Sequence, residues 1–163
     1  MKYLLLLALL IGGIYAYQTK LDGMARRPYV VQLQNVEAQQ EVEKIKKALN
    51  GYPAQKYAHH FWKSADKYRM DWRILVYIAF RESTFFRNDG CVFRGGVNGF
   101  GYYSNSICFD SYPNAIDHVA QKLAIGNYYK QHTNIVDKLC MYNKGTPNNC
   151  EYGQSYLAYK NIW

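Results

Sequence analysis

Proline, negative charge and long apolar stretches are all scarce in this 163-residue sequence. It contains 4 Pro and 12 Gly, too few for a collagen-like chain, and only 20% charged residues, too few for a coiled coil or a highly charged disordered chain. Its single long apolar stretch excludes a membrane protein with several spans. No internal repeat or low-complexity tract is present. The length is sufficient for one domain with its own core.

Aromatic residues and positive charge are abundant instead. The chain has 17 Tyr, 7 Phe and 3 Trp, and its 20 Lys and Arg outweigh 12 Asp and Glu to give a net charge of +8. Positive charge attracts polyanions, which include cell-wall polymer, lipid headgroups and nucleic acid. Nucleic acid is the least favoured of these, because the basic residues are dispersed and no base-readout motif appears. We therefore expect a basic, tyrosine-rich globular protein without a nucleic-acid partner.

The long apolar stretch covers residues 3–17, carries no charge and includes six Leu. A helix of these fifteen residues spans about 22 Å, less than the roughly 30 Å of a hydrocarbon core. Residues 1–16 are therefore expected to be a signal peptide, with Ala16 before the cut, or a membrane anchor. Ile14, where a small residue is usual, and the basic residues after the stretch favour an anchor, so both interpretations stay open. A buried core helix is less consistent with a stretch that is apolar on every side.

The four cysteines lie in the second half of the chain, and none forms a Cys-x-x-Cys pair. This pattern is typical of disulfides in an exported protein. We expect the pairs Cys91–Cys108 and Cys140–Cys150, because each closes a short local loop rich in Gly, Asn and Ser. Four reduced thiols are an alternative, and a zinc site is another, although the close ligand spacing of zinc sites is missing. The histidines available to such a site are His59, His60, His118 and His132.

Apolar periodicity predicts a mainly helical chain. Residues 30–49 alternate Val, Leu and Ile with Gln, Glu and Lys at helical spacing, and we interpret residues 17–50 as a stalk or linker helix. A cluster of Asn, Gly and Pro ends this helix, which places the globular domain at residues 51–163. Residues 90–111 are rich in Gly, Asn and Ser, a composition typical of a long loop or a small irregular hairpin. Further helices are predicted over 52–68, 70–85 and 113–129 and from 154 onward.

The most informative segment is MDWRILVYIAFRESTF, at residues 70–85. Asp71 can cap a helix in which Ile74, Ile78 and Glu82 are four residues apart and share one face. Because that face packs inward and the helix C-terminus carries partial negative charge, we expect the pKa of Glu82 to be raised. A carboxylic acid that keeps its proton near neutral pH can protonate the leaving oxygen of a glycosidic bond. Alternatively, Glu82 is a solvated residue of the last turn that pairs with a neighbouring arginine.

This segment resembles the helix that carries the catalytic glutamate in lytic transglycosylases of the soluble type, which share the goose-type lysozyme-like fold. The Asp cap and the terminal Glu-Ser-x-Phe sequence carry the resemblance. It implies that Glu82 is the acid, that Ser83 orients it or holds the substrate N-acetyl group, and that Phe85 packs. A helix C-terminal cap is the alternative role for Ser83. The implied fold is a mainly α, lysozyme-like domain over residues 51–163, preceded by an apolar helix and a stalk helix.

A second motif resembles the cleft-lining Gly-Leu-Met-Gln segment of the same family. Residues 98–103 read Asn-Gly-Phe-Gly-Tyr-Tyr and lack the Gln. Glycines allow a sugar to approach the backbone, and aromatic rings stack on pyranose faces. The side chains implied in substrate binding are Phe100, Tyr102 and Tyr103. Residues 109–116 then resemble the family's entry into its next helix.

A third motif, Tyr-Asn-Lys-Gly at residues 142–145, resembles the family's Tyr-Asn-x-Gly sequence. The resemblance implies that Tyr142 lies across the cleft from Glu82, where its phenol can bond to the carboxyl group or the sugar. It also implies that Asn143 contributes to substrate binding. A merely buried tyrosine is the alternative for Tyr142.

The implied activity is cleavage of the β-1,4 bond between N-acetylmuramic acid and N-acetylglucosamine in peptidoglycan, which leaves 1,6-anhydro ends. Glu82 is the acid and then the base, and no metal or cofactor is needed. A hydrolytic lysozyme is the alternative enzyme, and Asp89 or Asp110 is then the candidate second acid, although both residues are typical of loop capping. A non-catalytic assembly protein that binds the cell wall is a further alternative.

The implied partners are peptidoglycan strands and, if residues 1–16 are retained, a membrane. The implied location is the periplasm or cell envelope, or a virion if the source is a phage. By analogy within the family, a lone catalytic domain of this kind suits local opening of the wall for a larger secretion, conjugation or virion assembly.

Overall fold

A computed structural model describes residues 35–147 and 150–163. The predicted signal peptide or anchor at residues 1–16 lies outside the described residues, as does the predicted stalk up to residue 34. The chain divides into two units, residues 1–40 and residues 41–163. The second unit contains the hydrophobic core.

Helices dominate the described residues. They are α1 (35–48), α2 (Ala58–Lys67), α3 (Trp72–Ser83), α4 (Tyr112–Ile125), α5 (Ile135–Lys144) and α6 (Glu151–Tyr159). Short 3₁₀ segments cover Pro53–Tyr57, Val92–Arg94 and Tyr102–Asn105. No strand occurs within residues 35–147 and 150–163, where the one pairing of extended backbone is an antiparallel bridge between Val97 and Phe109. The prediction of a mainly α protein is therefore confirmed.

Helix α3 is the central element of the core. The carboxylate of Asp71 accepts a hydrogen bond from the Arg73 backbone N–H at 2.9 Å, so the predicted N-cap is present. All residues from 74 to 79 are buried, and α3 packs against α2, α4 and α6. Each fully buried aliphatic side chain of this kind contributes about 1.5–3 kcal/mol to stability. The apolar burial of α3 therefore holds its last turn, which carries Glu82, in a fixed position.

The core begins earlier in the chain than the sequence analysis placed it. Ile45 and Leu49 have no exposed surface and belong to the main hydrophobic cluster. Trp72 adds a polar link, since its indole N–H donates to the Glu41 carboxylate at 2.7 Å. The unit that holds the core accordingly starts at Glu41 and not at residue 51. The second half of the segment interpreted as a stalk is thus part of the core.

The chain reverses sharply after α3. Thr84 caps the helix in a left-handed conformation, and its N–H donates to the carbonyls of Ala79 and Phe80. Phe85 and Phe86 also have positive φ angles, of 55° and 72°. Both rings are buried, and their burial offsets the cost of the left-handed backbone. Phe85 therefore packs, as the resemblance implied.

Two disulfides are formed, Cys91–Cys108 and Cys140–Cys150, each with a Cα–Cα distance of 5.6 Å. Both predicted pairs are confirmed, and because no cysteine is free, the zinc-site and reduced-thiol alternatives are wrong. The first bridge closes the irregular segment between α3 and α4, and the second ties the end of α5 to the start of α6. Disulfides of this kind are typical of proteins from oxidising compartments.

Candidate active site

A cleft with a volume of about 880 Å³ opens beside the last turn of α3. Its wall combines that turn with the 101–105 segment, the chain after α4 and the end of α5. The lining residues are Glu82, Gly101, Tyr102, Tyr103, Ser104, Asn105, Lys122, Gly126, Asn127, Tyr128, Tyr129, Met141, Tyr142, Asn143 and Gly145. In this lining, drawn from the described residues, Glu82 is the one acidic side chain and Lys122 the one basic side chain.

Glu82 is partly buried in the cleft, and its two carboxylate oxygens have different surroundings. Oε1 accepts a hydrogen bond from the Tyr152 hydroxyl at 2.8 Å. Oε2 faces Gly101, where a Cβ atom would lie only 2.5 Å from it. Gly101 has a φ angle of +60°, a conformation that also favours glycine. The carboxyl group is therefore held between a phenol on one side and bare backbone on the other.

Burial raises the pKa of Glu82, and this is the largest influence on the group. The Tyr152 hydrogen bond and the positive charge of Arg81 lower the pKa, but by less in total. Burial and the nearby Glu82 charge together raise the pKa of Tyr152 and that of Tyr142 well above the ordinary phenol value. Both phenols are therefore neutral hydrogen-bond donors at physiological pH, and Glu82 is the cleft group suited to exchanging a proton.

Tyr142 lies in the cleft with Glu82, but its hydroxyl donates to the Phe100 carbonyl at 2.6 Å. The phenol that bonds to the carboxyl group belongs to Tyr152, at the start of α6. The sequence analysis missed Tyr152, because it follows the Tyr-Asn-Lys-Gly motif and lies outside every family motif identified. The predicted Cys140–Cys150 pair was the available signal, since it places the start of α6 against α5 and so near the cleft.

Phe100 does not offer its ring to the cleft, so its predicted role in stacking on sugar is wrong. The side chain has no exposed surface and packs against Phe61 and Phe86, with ring centroids 6.1 and 5.4 Å away. Its neighbour Gly99 lies directly against the Phe86 ring, so the whole turn is pressed onto the core. Phe100, although it lies between two glycines, is thus a core residue.

Tyr102, Tyr103 and Asn143 do line the cleft. Tyr102 is mostly buried, with its ring edge-on to His118 at 5.2 Å, while Tyr103 is 67% exposed. Asn143 is exposed at the end of α5. Tyr103 is therefore the most accessible of the predicted aromatic contacts.

Ser83 is buried and acts within the structure. Its hydroxyl lies 2.6 Å from the Gly99 carbonyl and 3.1 Å from the Ala79 carbonyl, and it accepts the Phe86 N–H at 2.9 Å. These contacts tie the end of α3 to the segment that leads to Gly101. Ser83 therefore positions the cleft wall and has the capping role that the sequence analysis left open.

Replacing Ser83 by Ala is expected to destabilise the fold by about 1–3 kcal/mol, because it leaves the buried Phe86 N–H without its acceptor. Chemical denaturation measures this loss directly. Ser104→Ala is the control, since Ser104 is exposed in the cleft wall. Equal stability of the two variants would contradict the structural role.

The two candidate second acids do not line the cleft. Asp89 is buried, and its oxygens accept the backbone N–H groups of Cys91 at 2.8 Å and Asn98 at 2.7 Å. Burial first, and then the charge of Asp89 and its hydrogen bond, raise the pKa of the Tyr112 phenol. Asp110 is exposed and is not part of the cleft lining. Asp89 thus stabilises the backbone of the disulfide-closed segment.

Two other features bear on function. Within residues 35–147 and 150–163, no three or more His, Cys, Asp or Glu side chains are grouped as metal ligands. In the same ranges, no helix combines the length and apolar character required to cross a bilayer.

Comparison of the chain with protein-family models, with curated proteins and with solved structures gives no match.

Proposed function

We propose that this protein is a peptidoglycan lytic transglycosylase that cleaves the β-1,4 bond between N-acetylmuramic acid and N-acetylglucosamine. The observation that carries the proposal is the state of Glu82, a desolvated carboxyl group with a raised pKa at the side of a large polar and aromatic cleft. An acid of this kind supplies the proton that the leaving glycosidic oxygen requires.

The cleft lining suits a glycan of N-acetylated sugars. Two exposed tyrosines of the lining, Tyr103 and Tyr128, provide ring faces that pack against pyranose rings. Side-chain amides and a hydroxyl match the N-acetyl groups and sugar hydroxyls. These polar residues are Ser104, Asn105, Asn127 and Asn143.

The reaction proceeds in two proton transfers. The Glu82 carboxyl group first gives its proton to the glycosidic oxygen, the bond to the muramic C1 breaks, and an oxocarbenium-like centre remains. The Glu82 carboxylate then takes the proton of the muramic C6 hydroxyl as that oxygen attacks C1. The products are a 1,6-anhydro sugar and a free 4-hydroxyl group, and Glu82 regains its original protonation state. No water, metal or cofactor enters this sequence.

A single acid favours this route over hydrolysis. Hydrolytic enzymes of this class use a second carboxylate as nucleophile or to activate water. Asp89 is occupied by two backbone N–H groups, and Asp110 lies outside the cleft lining. An internal hydroxyl nucleophile removes the need for either residue.

The proposed setting is the cell envelope. The two disulfides are compatible with export, and a net charge of +8 favours contact with an anionic wall. The proposed biological role is local opening of peptidoglycan for a larger secretion, conjugation or virion assembly.

Digestion of purified sacculi followed by mass spectrometry tests the reaction type. We expect muropeptides that end in 1,6-anhydro-N-acetylmuramic acid, 18 Da (one water) lighter than their hydrolytic counterparts. Reducing muramic ends in their place would show a hydrolase. Binding to sacculi without any released product would favour the wall-binding alternative.

A further inference from the structure

The two oxygens of the Glu82 carboxyl group are not equivalent. Oε1 is 2.8 Å from the Tyr152 hydroxyl, and Oε2 faces the bare backbone of Gly101 in the cleft wall. A neutral phenol with a carboxylate as its partner donates and does not accept. The bond to Oε1 therefore persists when Glu82 is ionised and becomes stronger, because its acceptor is then charged.

Tyr152 is itself rigidly held. Its side chain is 4% exposed, and its backbone carbonyl accepts the Tyr77 hydroxyl at 2.5 Å. Its ring lies edge-on to the Tyr77 ring at 5.4 Å, and the Arg81 guanidinium lies 4.9 Å from its centroid. The Cys140–Cys150 bridge also fixes the chain just before α6. A phenol held at both its ring and its backbone can fix the direction of the group to which it donates.

We propose that Tyr152 is a positioning residue for Glu82. Its hydroxyl occupies Oε1 of the carboxyl group and leaves Oε2 as the oxygen that gives and takes the proton. This assignment rests on the proposed transglycosylase reaction. It adds a side chain from α6, distant in sequence from the helix that carries the acid, to the machinery of the cleft.

Tyr152 also affects the pH at which Glu82 ionises. Titratable and charged groups face or line the cleft around it from every neighbouring element. They are Arg81 on α3, Tyr102 and Tyr103 on the irregular segment, Lys122 on α4, Tyr128 and Tyr129 after α4, Tyr142 on α5 and Tyr152 on α6. Donation by Tyr152 stabilises the ionised carboxylate and so opposes the effect of burial. Removing the hydroxyl must therefore raise the pKa of Glu82 and extend lysis to higher pH, since the acid keeps its proton longer.

Tyr152→Phe tests the assignment, with Tyr156→Phe as a matched control. Tyr156 lies one turn later on α6, its ring is also 5.4 Å from Tyr77, and its hydroxyl bonds to a different carboxylate, that of Asp71. We expect NMR titration of ¹³C-labelled Glu82 to show a pKa about one unit higher in Tyr152→Phe, and no change in Tyr156→Phe. The Glu82 signal is assigned by its absence in Glu82→Gln.

Activity provides the second measurement. In Tyr152→Phe we expect kcat on sacculi to fall about tenfold with KM unchanged, and the alkaline limb of the pH profile to move upward with the Glu82 pKa. An unchanged Glu82 pKa, or a fall in kcat without movement of the limb, overturns the positioning role. If the wild-type protein releases no anhydro product, the reaction assignment itself fails, and the titration still shows separately whether Tyr152 sets the Glu82 pKa.

Discussion

Replacing Glu82 by Gln is expected to lower the rate of sacculus lysis by about 10²–10⁴-fold, the range that a positioned general acid contributes. Gln has nearly the same shape but no proton that it can transfer. Its amide oxygen still accepts the Tyr152 hydrogen bond, so the cleft keeps its geometry. Binding to sacculi, measured by co-sedimentation, is expected to persist. Release of soluble muropeptides measures the lost activity.

Glu151→Gln is the matched control for this substitution. Glu151 is the exposed residue immediately before Tyr152 and begins α6 without lining the cleft. Its replacement is expected to leave lysis within about twofold of wild type, because exposed substitutions away from a site have small effects. Lysis by Glu82→Gln at the rate of the control would remove Glu82 from the reaction.

The Glu82→Gln variant also changes how stability depends on pH. Burial raises the pKa of Glu82 in the folded state above that of the unfolded chain, so the folded protein binds the proton more tightly. This contribution to stability is present below the unfolded pKa and is lost as pH rises through the folded pKa. Gln removes the contribution, so the variant should lose less stability than wild type between acidic and neutral pH. Thermal melts across that range measure the difference.

Local patterns were sufficient for several features of the fold. The Asp71 cap and the four-residue spacing that ends at Glu82 predicted α3 and the inward direction of the acid, because both depend on contacts within one helix. The disulfide pairs were predicted from loop length, since the bridges join residues only 17 and 10 positions apart. Each of these features depends on residues that are close to one another in the sequence.

Features set by contacts distant in sequence were not predicted. Tyr152 meets Glu82 across 70 residues, and no periodicity within α6 encodes that contact. Phe100 was assigned to substrate because residues 98–103 resemble a cleft-lining segment, whereas in the structure its ring packs against Phe61 and Phe86. Ile45 and Leu49 were assigned to a stalk because a helix with one apolar face gives no indication of what covers that face.

Gly101→Ala is expected to reduce lysis by about 10²-fold, because catalysis is that sensitive to small displacements of a reacting group. A Cβ atom at this position would lie 2.5 Å from Oε2 and 3.1 Å from Cδ of Glu82, so the carboxyl group must move. Its rotation would break the Tyr152 hydrogen bond and turn Oε2 away from the sugar. The kcat on sacculi and the Glu82 pKa by NMR report the two effects.

Gly95→Ala separates this collision from the backbone strain that any side chain introduces. Gly95 lies in the same disulfide-closed segment with a φ angle of +76°, and its Cβ would meet no atom within 4 Å. Both variants should lose about 1–2 kcal/mol of stability from the left-handed backbone, but only Gly101→Ala should lose activity. Equal activity of the two variants would mean that the room left by Gly101 is not required by the acid. Loss of activity in Gly101→Ala alone would show that the proton-transferring Oε2 of Glu82 needs the space that Gly101, without a side chain, leaves in the cleft wall.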